Sequence, residues 1–229
     1  VVKADGYGLG AVPVARALHD AGCGHFFVAH VSEGRALRAA LGPGPAIAVL
    51  NGFPPGADGA DGLLPVLNHL GDAERWRTAA RGDGTARRVL LHLDTGMNRL
   101  GLDAVEAARL EREPALLDGL EIRYVMTHLA CADEPEHPLN AAQPRRFAAL
   151  CERLLPGVPR SLANSAGIFL PGTGSALARP GCALYGINPT PGRSNPMRAV
   201  VRLDAPVLQV RNVAVGESAG YGGAWVAAR

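Results

Sequence analysis

The sequence predicts an α/β fold, a (β/α)8 barrel of the TIM type, followed by the start of a second, β-rich domain. Three observations predict it. Short apolar runs alternate with stretches of helical period over most of the 229 residues. Most of the runs lack apolar/polar alternation, as strands of a parallel sheet buried on both faces do. Eight such runs are present, the number that a closed parallel barrel uses. The rival is an open doubly wound sheet, which would carry G-x-G-x-x-G after its first strand. The chain instead has Lys3-Ala-Asp-Gly-Tyr-Gly there.

In chain order, strands are expected at residues 1–4, 26–29, 46–50, 63–67, 88–94, 120–128, 160–164 and 176–181. Helices are expected at 11–21, 32–41, 72–82, 103–113 and 140–155. Asp103, with Glu106 three residues on, reads as a capping box that marks the start of the fourth helix. Links after the third and seventh strands are too short or too rich in Gly and Pro for helices. From about residue 195 the pattern changes: Val201, Leu203, Val207, Val210, Val213 and Val215 suggest antiparallel strands with one exposed face. The expected domains are therefore 1–195, the barrel, and 196–229, the opening of a β domain. Val1 stands inside a strand-like run with no Met and no charged segment before it. The first strand is thus expected to be incomplete, and no signal peptide is visible.

Composition narrows the function classes. Hydrophobic residues make up 48% and charged residues 19%, within the range of an ordered globular protein. Net charge is +2 with arginines scattered along the chain, which argues against a nucleic-acid surface. No apolar run reaches the length of a membrane span, about 18 residues. Cys23, Cys131, Cys151 and Cys182 form no C-x-x-C pair, so neither a zinc site nor a disulfide framework is expected. Buried thiols in a reducing cytoplasm are the simplest reading.

Barrel enzymes carry their chemistry at the C-terminal ends of the strands. Those ends here hold Lys3, Asn51, Asn68, Asp94, His128, Asn164 with Ser165, and Arg179. Lys3 follows Val-Val in an apolar run. Desolvation lowers the pKa of a buried lysine and frees a nucleophilic amine for a Schiff base. Taken by itself, the residue reads more readily as an exposed terminal lysine.

The surrounding residues add a resemblance. Val1-Val-Lys-Ala-Asp-Gly-Tyr-Gly-Leu-Gly10 closely resembles the pyridoxal-phosphate lysine motif of the alanine racemases, the fold type III family. Four more motifs follow in the family's order: Leu93-Asp-Thr-Gly-Met-Asn-Arg-Leu-Gly101, Met126-Thr-His-Leu-Ala-Cys-Ala-Asp133, Leu162-Ala-Asn-Ser-Ala-Gly167 and Ala178-Arg-Pro-Gly-Cys-Ala-Leu-Tyr-Gly186. Gly220-Tyr-Gly-Gly-Ala-Trp225 is similar to the family's early C-terminal domain, so the resemblance spans the chain.

The resemblance implies roles. Lys3 would carry pyridoxal 5'-phosphate and act as one of two acid/base groups, and Tyr7 would bind its phosphate. Ser165 and the backbone amides of Gly181 and Cys182 would complete the phosphate cup. Asn164 and Tyr185 belong to the same cofactor surroundings, Asn164 chiefly by fixing its loop. Arg179 would face the pyridine nitrogen; a guanidinium stays protonated, so that nitrogen stays unprotonated and the ring is a weak electron sink. Arg99 would contact the phenolic oxygen and the substrate carboxylate, His128 would stand near the ring, and Asp133 would line the substrate entrance. Catalysis would thus rest on Lys3, Arg179, His128 and Arg99, with no metal.

Two residues depart from the family pattern. His92 stands where many members have a lysine whose carbamate orients the arginine matching Arg99, so an anion or Asn98 is expected to hold Arg99. Ser161 replaces a histidine that packs on the arginine matching Arg179. The implied function is interconversion of L- and D-alanine by two bases, supplying D-alanine for peptidoglycan, in a cytoplasmic homodimer with no nucleic-acid or membrane partner. The second base would be a partner-subunit tyrosine whose motif lies beyond Arg229, so residues 1–229 alone are not expected to racemise alanine. Alternatives are a racemase for serine or a larger amino acid, a non-catalytic pyridoxal-phosphate carrier, and a sugar-phosphate barrel enzyme with Lys3 as its Schiff-base lysine. The β-type pattern after residue 195 weighs against the carrier, and Arg179 with the Tyr7 spacing against the sugar-phosphate enzyme.

Overall fold

Apolar runs of Val, Leu, Ile and Phe with no polar face must be covered on both sides, and the chain does this by wrapping helices around a curled parallel sheet. The computed structural model describes residues 1–57 and 61–229. Its main sheet holds β1 (His25–Val28), β2 (Ala46–Val49), β3 (Leu64–Leu67), β4 (Arg87–His92), β5 (Leu120–Met126) and β6 (Arg160–Ser161) in chain order. All neighbours pair in parallel. Helices α1 (Lys3–Tyr7), α2 (Ala11–Asp20), α3 (Val31–Leu41), α4 (Leu70–Asp83), α5 (Ala104–Arg112) and α6 (Leu139–Leu154) accompany it.

Side chains alternate across the strands. Phe27, Ala48, Val66, Leu90 and Met126 form one small cluster on the concave side, joined by Val1, Tyr124 and Leu177. Phe26, Val28, Ile47, Val49, Leu67, Val89, Leu91 and Val125 face the other way, into the larger core with the helices. Two sets of apolar residues, inside and outside the curl, are what a barrel wall requires.

The outer two of the eight expected strands are present as extended segments without a regular ladder. The first ends at Val2, whose N–H bonds to the Phe27 carbonyl at 2.9 Å. On its other side the Val1 amine bonds to the Pro180 carbonyl at 2.9 Å. Segment 176–181 attaches beside β6 through Leu177 N–H to Arg160 O and Arg179 N–H to Ala163 O. The ring thus closes between Val1 and Pro180. Residues 3–4, expected as strand, leave it because Ala4, Asp5, Gly6 and Tyr7 all take positive φ and α1 is a left-handed turn.

The amphipathic helices lie where their period places them, shifted by a residue or two. Asp103 caps α5 by accepting from Glu106 N–H at 2.8 Å. The expected box is only half closed: the Glu106 carboxylate accepts from Leu70 N–H at 2.8 Å instead, tying α5 to the start of α4. All four cysteines carry free thiols, but only Cys151 is buried.

The expected strands over 201–215 do not form among the described residues. Leu203, Val207, Leu208 and Val210 are almost fully exposed, and no ladder pairs them. A strand pattern needs a partner edge, and no described segment offers one. The described β structure here is the antiparallel pair β7 (Ser218–Ala219) and β8 (Trp225–Val226). No helix is long and apolar enough to cross a membrane among the described residues.

Candidate active site

The C-terminal ends of the strands open on a cavity of about 600 Å³, a size suited to a small organic ligand. Lys3, Tyr7, Asn51, His92, Arg99, His128, Asp133, Asn164, Ser165, Arg179, Gly181 and Cys182 all reach its wall. The residues expected at the site therefore converge from both ends of the chain, with the exception of Tyr185, which does not reach the wall. Its ring stacks behind Tyr7 at 4.7 Å, and its hydroxyl donates to the Val1 carbonyl at 3.2 Å. Two of the polar strand ends also stand back from the cavity. Asn68 holds His92, and Asp94 accepts from the N–H groups of Gly96, Met97 and Asn98, shaping the loop that carries Arg99.

Lys3 owes its position to the left-handed turn and to a carboxylate that sequence reasoning did not single out. Glu33 on α3 accepts from Ala4 N–H and Ala29 N–H at 2.7 Å each, and from His30 N–H at 3.1 Å. Burial raises the Glu33 pKa, but these backbone donors outweigh it and the net shift is downward. Glu33 therefore ties the start of α1 to the end of β1 and supplies the anion that uncapped N–H groups attract.

Arg179 is buried, with both Nη atoms engaged. One Nη donates to Ser161 Oγ at 2.6 Å, the other to the Thr127 carbonyl at 2.6 Å, and the second lies 3.4 Å from His128 Nδ1. Burial lowers its pKa to about 10, which leaves it cationic at neutral pH. His128 is lowered too, to about 3, by burial and then by the charges of Arg179 and Arg99. It is a neutral imidazole whose Nδ1 can only accept from the guanidinium. Ser161 also donates to the Leu177 carbonyl at 2.7 Å. A small hydroxyl on β6 thus supplies directly the support for Arg179 that a larger side chain would give by packing.

His92 has its pKa lowered to about 4, first by burial and then by Arg179. Its Nδ1 lies 2.9 Å from Asn68 Oδ1, while Asn68 Nδ2 donates to the Leu50 and Val66 carbonyls. That pattern makes Asn68 Oδ1 an acceptor and puts the His92 proton on Nδ1. The expected contact with Asn98 is absent: among the described residues the Arg99 guanidinium makes no hydrogen bond, and it faces the cavity.

On the opposite wall, Ser165 Oγ accepts from Gly181 N–H at 2.8 Å and from Ala183 N–H at 3.3 Å. The Gly181 amide is therefore engaged, and the Ser165 hydroxyl proton is left to donate. Asn164 uses its carbonyl for Gly167 N–H and its amide for the Leu129 carbonyl, which ties the loop to its neighbour. A Cβ on Gly181 would lie 2.1 Å from the Tyr7 hydroxyl; only glycine lets that hydroxyl reach this wall. Apart from Asp133, the charged groups around the cavity are cationic, and Tyr7 and Ser165 add hydroxyl donors. Such a set suits an anionic ligand.

Comparison with known proteins decides the family. A family model described as alanine racemase, N-terminal domain, matches residues 1–189. The chain belongs to that family. It is 58% identical over 233 residues to alanine racemase of Acidiphilium cryptum, covering 100% of this chain and 64% of that protein. It is 51% identical to the catabolic alanine racemase of Mesorhizobium japonicum, with 97% and 59% covered. Among solved structures, alanine racemase of Bartonella henselae, with covalently bound pyridoxal phosphate, superposes with a TM-score of 0.91. That pair shares 39% identity and covers 100% of this chain and 64% of the other. The chain spans about three-fifths of the length of these alanine racemases.

Proposed function

We propose that this chain is the cofactor barrel of a pyridoxal-phosphate-dependent racemase that interconverts L- and D-alanine. The observation that carries the reading is the convergence of Lys3, Tyr7, Arg99, Ser165 and Arg179 on one cavity. Family membership and the cofactor bound to the Bartonella henselae relative support it.

The residues fit the group. An amine, Lys3, stands in reach of the cavity for an aldehyde, and Tyr7 and the Ser165 hydroxyl offer donors for a phosphate beside the glycine at 181. When bound, pyridoxal phosphate supplies a conjugated ring that acidifies the α-carbon of an attached amino acid. Lys3 then holds or moves the α-proton on one face. Arg179, cationic and held by Ser161 and Thr127, would donate to a ring nitrogen and leave it unprotonated, so that the bound ring would be a weak electron sink suited to reprotonation at the α-carbon. His128, neutral, passes no charge into this chain and accepts from Arg179. Arg99, with no hydrogen-bond partner among the described residues, is available to a substrate carboxylate.

A proton returned to the opposite face needs a second base, which we assign to a partner subunit in a homodimer. In this reading residues 196–229 open the second domain, the enzyme is cytoplasmic, and its D-alanine serves peptidoglycan. The full-length protein tests the function. With pyridoxal phosphate it should convert L-alanine to D-alanine, and Lys3→Ala should lower turnover by at least about a thousandfold, roughly 4 kcal/mol. Turnover that survives Lys3→Ala would contradict the assignment, and conversion of serine alone would move the substrate while keeping the reaction.

A further inference from the structure

Helix α6 buries a stripe of Gln143, Phe147 and Cys151 against the barrel. A fully buried glutamine in an apolar stripe must have each polar atom satisfied or cost stability, and Gln143, at 0% exposure, has all of them satisfied by the site's own loops. Its Oε1 accepts from Ala130 N–H at 2.9 Å. Its Nε2 donates to the His128 carbonyl at 2.9 Å and to Thr95 Oγ1 at 3.2 Å. Thr95 Oγ1 in turn shares a 2.8 Å hydrogen bond with Thr127 Oγ1, both residues being buried. The Thr127 carbonyl accepts from Arg179. From the same helix, Arg146 donates to the Thr95 carbonyl at 3.1 Å.

We propose that Gln143 is a positioning residue of the cofactor site. One amide side chain clamps the loop at 94–101, which carries Arg99, to the segment at 127–130, which carries His128 and the carbonyl that anchors Arg179. Gln143 itself does not reach the cavity wall, so it acts through those three residues. The two loops follow different strands, β4 and β5, and leave the sheet before the clamp. Beyond the strand ends their spacing is set by side chains, and Gln143 makes three of the bonds that set it. The amide is suited to this because it donates twice and accepts once with a single rigid group. Loss of the clamp lets the loops drift apart, and misplacement of even about 1 Å is costly to an assembled site.

The proposal rests on the cofactor reading above, and its test separates the two. In the full-length protein, Gln143→Met keeps the length and bulk of the side chain while removing all three bonds; Thr95→Val removes one arm of the clamp together with the Thr95–Thr127 bond. Pyridoxal phosphate binding is titrated by the visible absorbance of the bound cofactor, with melting temperature measured alongside. Gln143→Met should weaken binding about tenfold and shift the absorbance band. Thr95→Val should weaken it less, and the double variant should lose less than the sum of the two, since both act in one network. Racemisation should fall through kcat/KM in step with affinity. If Gln143→Met does not fold, Thr95→Val carries the same comparison. Variants that only lower the melting temperature, with wild-type affinity and band, or whose effects simply add, would overturn the proposal. A wild-type protein that binds no pyridoxal phosphate overturns the cofactor reading, whereas one that binds it but spares alanine leaves the affinity comparison decisive.

Discussion

His128 and Arg179 lie within hydrogen-bond reach of each other, and burial treats them differently. Arginine begins so far above neutrality that a fall to about 10 leaves it charged. Histidine begins near 6.5, so burial beside that charge removes its proton at neutral pH. His92, lowered to about 4, follows the same rule. The consequence for stability has a definite sign. Both folded pKa values lie below the unfolded one, so the unfolded chain binds more protons as the pH falls below about 6.5. The stability the neutral imidazoles supply is complete above that pH and is lost towards the folded values. Each histidine contributes a slope of about 1.4 kcal/mol per pH unit inside the window. Denaturant melts at pH 7 and pH 5 should therefore show a large loss, and His92→Gln should make it shallower. Equal stability at the two pH values would contradict the account. At this scale the cavity residues were legible because motif and strand end coincide, as at Lys3, His128 and Arg179. Gln143 and Glu33 were not singled out, because their roles depend on loops brought together only by folding. Gln143 did leave a signal: a polar residue four places before Phe147 and eight before Cys151, on the buried stripe.

The turn α1 shows why element boundaries were harder to read than element types. A run of Val-Val followed by Lys-Ala-Asp-Gly-Tyr reads as strand and loop, yet three non-glycine residues there take left-handed φ. Each such residue costs energy that local propensity would avoid. The turn is held instead by Glu33 on a neighbouring helix, a contact that no local pattern announces. The same holds on the facing wall, where the loop at Gly181 approaches Tyr7 so closely that a single methyl group would displace its hydroxyl. Gly181→Ala should push Tyr7 out of the phosphate end of the cavity and weaken pyridoxal phosphate about tenfold, about 1.4 kcal/mol. The melting temperature without cofactor should hardly change, because the hydroxyl lies at the cavity and not in the core. Unchanged affinity in a cofactor titration would mean that Tyr7 takes no part in binding. Regular elements were easier to read. The helices at α2 to α6 carry their period in sequence, and the strands β1 to β4 each hold a short continuous apolar run.

For the whole molecule, the barrel was legible because a parallel sheet covered on both faces leaves a distinctive sequence pattern, and the sheet order simply follows the chain. Its closure was less so. The first and last segments pair through a few bonds around Phe27, Pro180 and β6, too few to form a ladder. Residues 201–215 mark the opposite failure: a correct amphipathic pattern with no described strand beside it. The barrel gathers both ends of the chain to set Lys3 on the wall of a cavity whose charged groups, apart from Asp133, are cationic. The most direct measurement is borohydride reduction of the full-length protein with pyridoxal phosphate, followed by mapping of the modified peptide. The account predicts a single stable pyridoxyl label on Lys3. A label on any other lysine, or none, would contradict it.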